Sequence, residues 1–248
     1  MSGSIDRGII RKFEEIEEKL GRGEITLAEA LKQMKRLKEE YIEKIKADKP
    51  HIRDPEQSWH SFIGNKFQEL VFKTLKGYVQ QLKRRHPEFQ NLYVLSEREV
   101  KKNEYLVRKL AVRYGEYLLL PDTDIVIAIC DSEYPWNSKI LAIVSCKTSL
   151  RERIAQACYW KLKLLQSDVT KHIKVYLVTT DNDDDFSIGK RKRESYNGKS
   201  RNRIIAEYEL DGIYIMRDDF KDEWESNKVK KYEKLLEDLV KLIQEGDC

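Results

Sequence analysis

Apolar residues recur every three to four positions at the start of the chain and in dense short runs through its middle, so two kinds of element follow one another. Ile9, Ile10, Phe13, Ile16 and Leu20 mark one face of a helix, and Gly21 and Gly23 close it. Thr26 and Glu29 are spaced as a capping box ahead of Leu27, Leu31, Met34, Leu37, Tyr41 and Ile45, a second helical stripe. The first 48 residues therefore predict a helical hairpin, whose stripe serves packing or dimerisation. Pro50 and Asp54-Pro55 punctuate the chain next, which predicts an N-terminal helical arm over 1–53 and a larger domain over 54–248.

Residues 62–82 are apolar around most of a helical circumference, as expected of a helix enclosed by a larger fold. Strand-like runs follow at 92–95, 105–112, 117–120, 124–129, 140–146, 173–180 and 212–216. One helix is predicted over 150–165 and a closing helix over 222–243. Strands and helices interleave incompletely, so the expected class is α/β, a mixed central sheet flanked by helices.

Composition narrows the function classes. The 248 residues are 36% charged, yet the net charge is only +4; a balanced, salt-rich surface permits nucleic-acid binding without a polybasic tail. Cys130, Cys146, Cys158 and Cys248 are irregularly spaced and far from paired histidines, which argues against a zinc site or a disulfide framework. No apolar run reaches the roughly 20 residues of a membrane span, and no secretory leader opens the chain. A soluble, cytoplasmic protein is expected.

Chemistry concentrates between residues 120 and 153. The apolar strand Ile125, Val126, Ile127, Ala128, Ile129 is entered through Pro121-Asp122-Thr123-Asp124, and a second apolar strand runs into Ser145-Cys146-Lys147. If the two strands pair, the aspartates and the lysine converge at one sheet end, and Ser145 and Lys147 share a face. A carboxylate that holds a hard divalent cation and a lysine that steadies an attacking water form the constellation that phosphodiester hydrolysis needs. The plainer alternative is an aspartate capping a turn and a lysine at a strand end. Arg151, Glu152 and Arg153 then open a helix, although arginines there oppose the helix dipole. Arginine reads guanine bidentately and glutamate accepts from cytosine.

This segment resembles the PD-(D/E)XK nucleases, and among them the type II restriction endonucleases of the BsaWI-like group that read a CCGG core. The resemblance rests on an early Asp (Asp122 or Asp124), Ser145 and Lys147 as Ser-Xaa-Lys, and the Arg151, Glu152, Arg153 step. It implies a restriction-endonuclease-like fold, Mg2+ as cofactor, double-stranded DNA as substrate and a homodimer matched to a palindromic site. Pro121-Asp122 matches the family's Pro-Asp literally, whereas Asp124 adjoins the rigid strand and is favoured as the main ligand. Two departures stand out. The arginines are contiguous with Glu152, and residues 154–166 lack the acid that Ser-Xaa-Lys members place in the following helix. The resemblance implies a metal-side glutamate on the early helix, and Glu69 is the candidate, with Gln156 as a weaker amide donor.

Between Gly189 and Arg203, the run Lys190, Arg191, Lys192, Arg193, Lys199, Arg201 and Arg203 surrounds Ser195-Tyr196-Asn197-Gly198, predicting a basic loop or hairpin that grips phosphates. The acidic run Asp181, Asp183, Asp184 and Asp185 is expected to be a solvated turn. These features favour a Mg2+-dependent, sequence-specific DNA endonuclease. A structure-specific repair nuclease of the same superfamily and a non-catalytic DNA-binding module remain as alternatives.

Overall fold

The computed structural model describes residues 7–150, 153–189 and 196–245. Its packing divides the chain into two units, one up to Leu70 and one from Val71 onwards.

The first unit contains α1 (Arg7–Gly21), α2 (Leu27–Arg36), α3 (Lys38–Asp48) and the beginning of α4 (Pro55–Arg85). The capping box forms: Thr26 Oγ1 accepts from the Glu29 N–H at 3.1 Å, and the Thr26 N–H donates to Glu29 Oε2 at 2.7 Å. The stripe predicted as one helix from Leu27 to Ile45 is broken at Leu37, which stands between α2 and α3. The stripe is covered within the unit. Phe13 packs edge-on against Phe62, with ring centroids 4.9 Å apart, and Tyr41 stacks on Phe62 at 5.0 Å while its hydroxyl meets Ser58 Oγ at 3.0 Å. Burying such a ring contributes about 1.5–3 kcal/mol, so these contacts hold the helices of the unit together.

The second unit is built on a six-stranded mixed sheet in the order β1-β4-β5-β6-β7-β8. Its strands are β1 (Leu92–Ser96), β4 (Ile125–Ile129), β5 (Lys139–Lys147), β6 (Lys174–Thr179), β7 (Gly212–Ile215) and β8 (Val229–Lys231). The first three pair antiparallel and the rest parallel. Parallel pairing requires crossover connections. Helix α7 (Arg153–Leu165) links β5 to β6, and α8 (Arg201–Glu209) links β6 to β7. Ile125, Val126, Ile127 and Ala128 are buried, as expected of a strand covered on both faces. A separate hairpin, β2 (Val112–Tyr114) with β3 (Tyr117–Leu119), precedes β4. No helix among the described residues is long and apolar enough to cross a membrane.

The expected α/β class holds, with four corrections to its elements. Residues predicted as a strand at 105–112 form α6 (Glu104–Leu110) and only then enter β2. Asn103 Oδ1 caps that helix by accepting from the Tyr105 and Leu106 N–H groups at 3.1 and 3.2 Å, and Leu106 and Leu110, four apart, are its buried pair. A short helix, α5 (Glu97–Lys101), starts at a Ser96/Glu99 capping box that the sequence reading passed over. The closing helix is confined to α9 (Lys234–Glu245), because β8 occupies the middle of the predicted span. Finally, α8 begins inside the stretch read as a basic loop; Ser200 Oγ accepts from the Arg203 N–H at 3.0 Å and caps it.

Candidate active site

Antiparallel pairing sets Ile125 opposite Val144, so the residue before β4 lies beside the last residues of β5. Asp124 occupies that position. Its Oδ2 accepts from the Cys146 backbone N–H at 2.6 Å and from Lys147 Nζ at 3.0 Å. The carboxylate thus extends the β4–β5 ladder by one rung and at the same time holds the lysine of the neighbouring strand. Both side chains are largely enclosed, 13% exposed for Asp124 and 14% for Lys147. Ser145 and Lys147 alternate with Cys146, whose side chain is buried. Burial pushes the Cys146 thiol well above its ordinary pKa, and the Asp124 charge acts in the same direction. Cys146 is therefore a neutral packing residue. Among the described residues Cys130, Cys146 and Cys158 are free thiols.

Asp122 has a different environment. It is exposed, and its Oδ2 accepts from Gln156 Nε2, one turn into α7, at 2.6 Å. The structure therefore gives Lys147 to Asp124 and Gln156 to Asp122. Glu69 belongs to the first unit, where its Oε2 accepts from Lys66 Nζ at 3.0 Å; Lys66 also donates to Glu17 at 2.7 Å.

No cluster of three or more His, Cys, Asp or Glu side chains among the described residues is arranged to hold a metal. The donor set beside Lys147 is oxygen, from the Asp124 carboxylate. That set does not suit zinc, which takes nitrogen and sulfur ligands. It suits an ion of the Mg2+ type, which binds through one or two carboxylates and completes its octahedron with water and substrate phosphate.

Beyond Lys147 the chain passes through Thr148, Ser149 and Leu150 to α7. Arg151 and Glu152 lie outside the described residues. Arg153, the first residue of α7, is exposed, and its N–H donates to the Leu150 carbonyl at 2.6 Å. Of the basic segment, Lys190, Arg191, Lys192 and Arg193 also lie outside the described residues. Tyr196 and Lys199 form a two-residue hairpin turned by Asn197 and Gly198, whose φ angles of 52° and 79° are those an Asn-Gly turn adopts. Lys199 Nζ is drawn to Glu207 Oε2 at 2.6 Å. Arg201 is exposed at the first turn of α8. Arg203 is fully buried, donating to the Phe186 and Trp224 carbonyls and to Glu207, and so braces the core.

The acidic run departs from the solvated turn expected of it. Asp181 is 1% exposed. Its carboxylate accepts from the Asp185 and Phe186 N–H groups at 2.6 and 3.1 Å and pairs with Arg217 at 3.1 Å. Burial outweighs these partners and pushes its carboxyl up to about 6. Asp185, also buried, accepts from Asn202 Nδ2 at 3.0 Å. Asp183 Oδ2 takes both the Ser149 hydroxyl and the Leu150 N–H. The available signal was Phe186: an apolar residue directly after an acidic turn draws that turn inward.

Residues 97–238 match the family model described as BsaWI restriction endonuclease type 2. The chain is 37% identical over 211 residues to MjaVIP of Methanocaldococcus jannaschii, named as a type II restriction enzyme, covering 82% of this chain and 85% of that one. HpyAORF263P of Helicobacter pylori, similarly named, is 54% identical over 80 residues, 32% of this chain and 39% of its own. The fold matches that of restriction endonuclease PspGI, solved in a complex with substrate DNA, with a TM-score of 0.58 at 13% identity over 96% of this chain and 93% of that one. Family model and relatives agree with one another and with the mixed sheet: the chain belongs to the BsaWI family of type II restriction endonucleases and is a site-specific deoxyribonuclease.

Proposed function

We propose that this enzyme hydrolyses both strands of duplex DNA at a palindromic site with a CCGG core, by Mg2+-dependent PD-(D/E)XK chemistry, as a homodimer in the cytoplasm. The observation that carries the reading is the Asp124–Lys147 pair, 3.0 Å apart at the end of two adjacent strands, with the exposed Arg153 six positions after Lys147.

Asp124 would hold the cation, with Asp122 nearby in sequence as a secondary ligand. When bound, Mg2+ polarises the scissile phosphate and acidifies a water. Lys147 keeps a positive charge beside that phosphate and orients the attacking water, and Ser145, on the same face of β5, supports the lysine with its hydroxyl. Arg153 presents its guanidinium from the start of α7 toward guanine, with Arg151 and Glu152 completing the base-reading step. Arg201 and the neighbouring basic residues contact phosphates and set the register of the duplex. A palindrome read by one copy of this step on each half-site calls for a two-fold symmetric pair of chains.

The test is to digest plasmid DNA with and without Mg2+ and sequence the ends. A single palindrome containing CCGG, cut only with the divalent ion, is the expected result. Ends at a different palindrome would remove the CCGG assignment, and cleavage unaffected by chelation would remove the metal. Cutting confined to branched DNA would overturn the reading altogether.

A further inference from the structure

We propose that Asp183 is a positioning residue that couples base reading to cleavage by clamping the link between Lys147 and Arg153. The proposal rests on the roles given to those two residues above. Five residues separate them, and the described part of that link is held at every step by one turn after β6. The Thr148 carbonyl accepts from Thr180 Oγ1 at 3.1 Å and from the Asn182 N–H at 3.3 Å. Ser149 Oγ and the Leu150 N–H both donate to a single oxygen, Asp183 Oδ2, at 2.5 and 2.9 Å. The Leu150 carbonyl then accepts the Arg153 N–H that begins α7.

Topology explains why a residue so distant in sequence serves this end. Strands β5 and β6 run parallel with Lys147 opposite Thr179, so the chain leaving each strand emerges at the same edge of the sheet. The turn is rigid enough to act as an anchor. Asp181 sits at a φ of 48° with its carboxylate committed to two backbone N–H groups and Arg217, and the Leu150 side chain is fully buried in the core. Hydrogen bonds to an ionised acceptor are the strong ones. An anion here also offsets the unfavourable placement of Arg153 at the first position of α7. The clamp thereby fixes the spacing between Arg153 and the strand end that carries Lys147, so that only DNA seated correctly on Arg153 presents its scissile phosphate to Lys147.

The test compares wild type, Asp183→Ala, Asp183→Asn and Ser149→Ala. Three quantities are read: exchange of the Leu150 amide, binding to random DNA, and single-turnover cleavage of the wild-type target against the same target with one base changed. Asp183→Ala is expected to speed Leu150 exchange and to lower the target-to-altered-site cleavage ratio, each by about tenfold, with random binding unchanged. Asp183→Asn, which keeps an acceptor, restores most of the ratio, and Ser149→Ala, which removes one of the two bonds, falls between. An unchanged ratio in Asp183→Ala at matched thermal stability overturns the proposal, as does unchanged Leu150 exchange. If Asp183→Ala does not fold, the ratio of Ser149→Ala decides: a wild-type value overturns the coupling. A wild type that cuts without target preference defeats the functional reading instead, while Leu150 exchange still decides the clamp.

Discussion

Asp122 and Asp124 carry the same chemistry two residues apart, so replacing each by asparagine separates position from residue type. The Asp124 carboxylate holds a lysine that is itself only 14% exposed. Asparagine at 124 keeps an oxygen for the Cys146 N–H but leaves the ammonium facing a neutral amide. Loss of a charged hydrogen bond of this kind costs about 1.5–3 kcal/mol of folding stability, which a urea titration resolves. The chemical penalty is larger. A Lewis-acid contribution of several kcal/mol, at about 1.4 kcal/mol per factor of ten, predicts a single-turnover rate lower by about a hundredfold to ten-thousandfold. Because a neutral amide still offers one oxygen, part of that loss should be recovered at high Mg2+. Asp122→Asn, exposed and still able to accept from Gln156, removes only a secondary ligand and should lose far less, about tenfold at most. Cleavage is to be measured at enzyme excess across a Mg2+ titration for both variants. An inactive Asp122→Asn beside an active Asp124→Asn would refute the assignment.

Three further outcomes are expected. Lys147→Ala should abolish cleavage and leave target binding, read by electrophoretic shift, largely intact, because the lysine serves the phosphate and not base identity; joint loss of both would contradict this. Arg153→Ala should cost about 1–3 kcal/mol of discrimination at one guanine, measured as the affinity ratio of target to altered site; equal weakening on random DNA would make it a phosphate contact. Asp181 titrates at about 6 in the folded chain against an ordinary 3.8, so the folded state retains the extra proton between those values and stability drawn from this group is lost as pH rises through 6. The stability of wild type relative to Asp181→Asn should therefore fall by about 2 kcal/mol from about pH 4 to about pH 7.5, and a difference independent of pH would refute it.

Much of the sheet was legible because β1, β4, β5, β6 and β7 are apolar runs of strand length bounded by polar residues. The runs that misled were those where two periods coexist. Leu106, Val107 and Leu110 satisfy a short strand and a short helix alike, and the Asn103 cap decides for the helix. Strand β8 was hidden by its own composition: Val229 is fully buried between lysines, so one residue carries the whole signal. Unlike these, α8 was obscured by charge. Arg201, Asn202 and Arg203 read as loop, yet Arg203 is fully enclosed because the Phe186 and Trp224 carbonyls and Glu207 accept from all three of its guanidinium nitrogens.

The candidate site shows the same division between what a chain displays locally and what only register decides. Asp124 and Lys147 could be named in advance because each abuts a recognisable strand. Their meeting, however, depends on Ile125 falling opposite Val144, since a slip of one residue would turn every side chain of β4 to the other face. The two aspartates illustrate the limit of the argument from spacing. Residues two apart share a face only while the backbone is a paired strand, and Asp122 lies before β4 begins, so its carboxylate turns to Gln156 instead. For Asp183 no local feature could have served. Its partners Ser149 and Leu150 are more than thirty residues away, and they arrive only because parallel strands β5 and β6 deliver two loops to one sheet edge, the edge where open α/β sheets gather their functional groups. An acidic run is solvated or structural according to which N–H groups the fold brings to it, and that is a property of topology that charge counting along the chain does not contain.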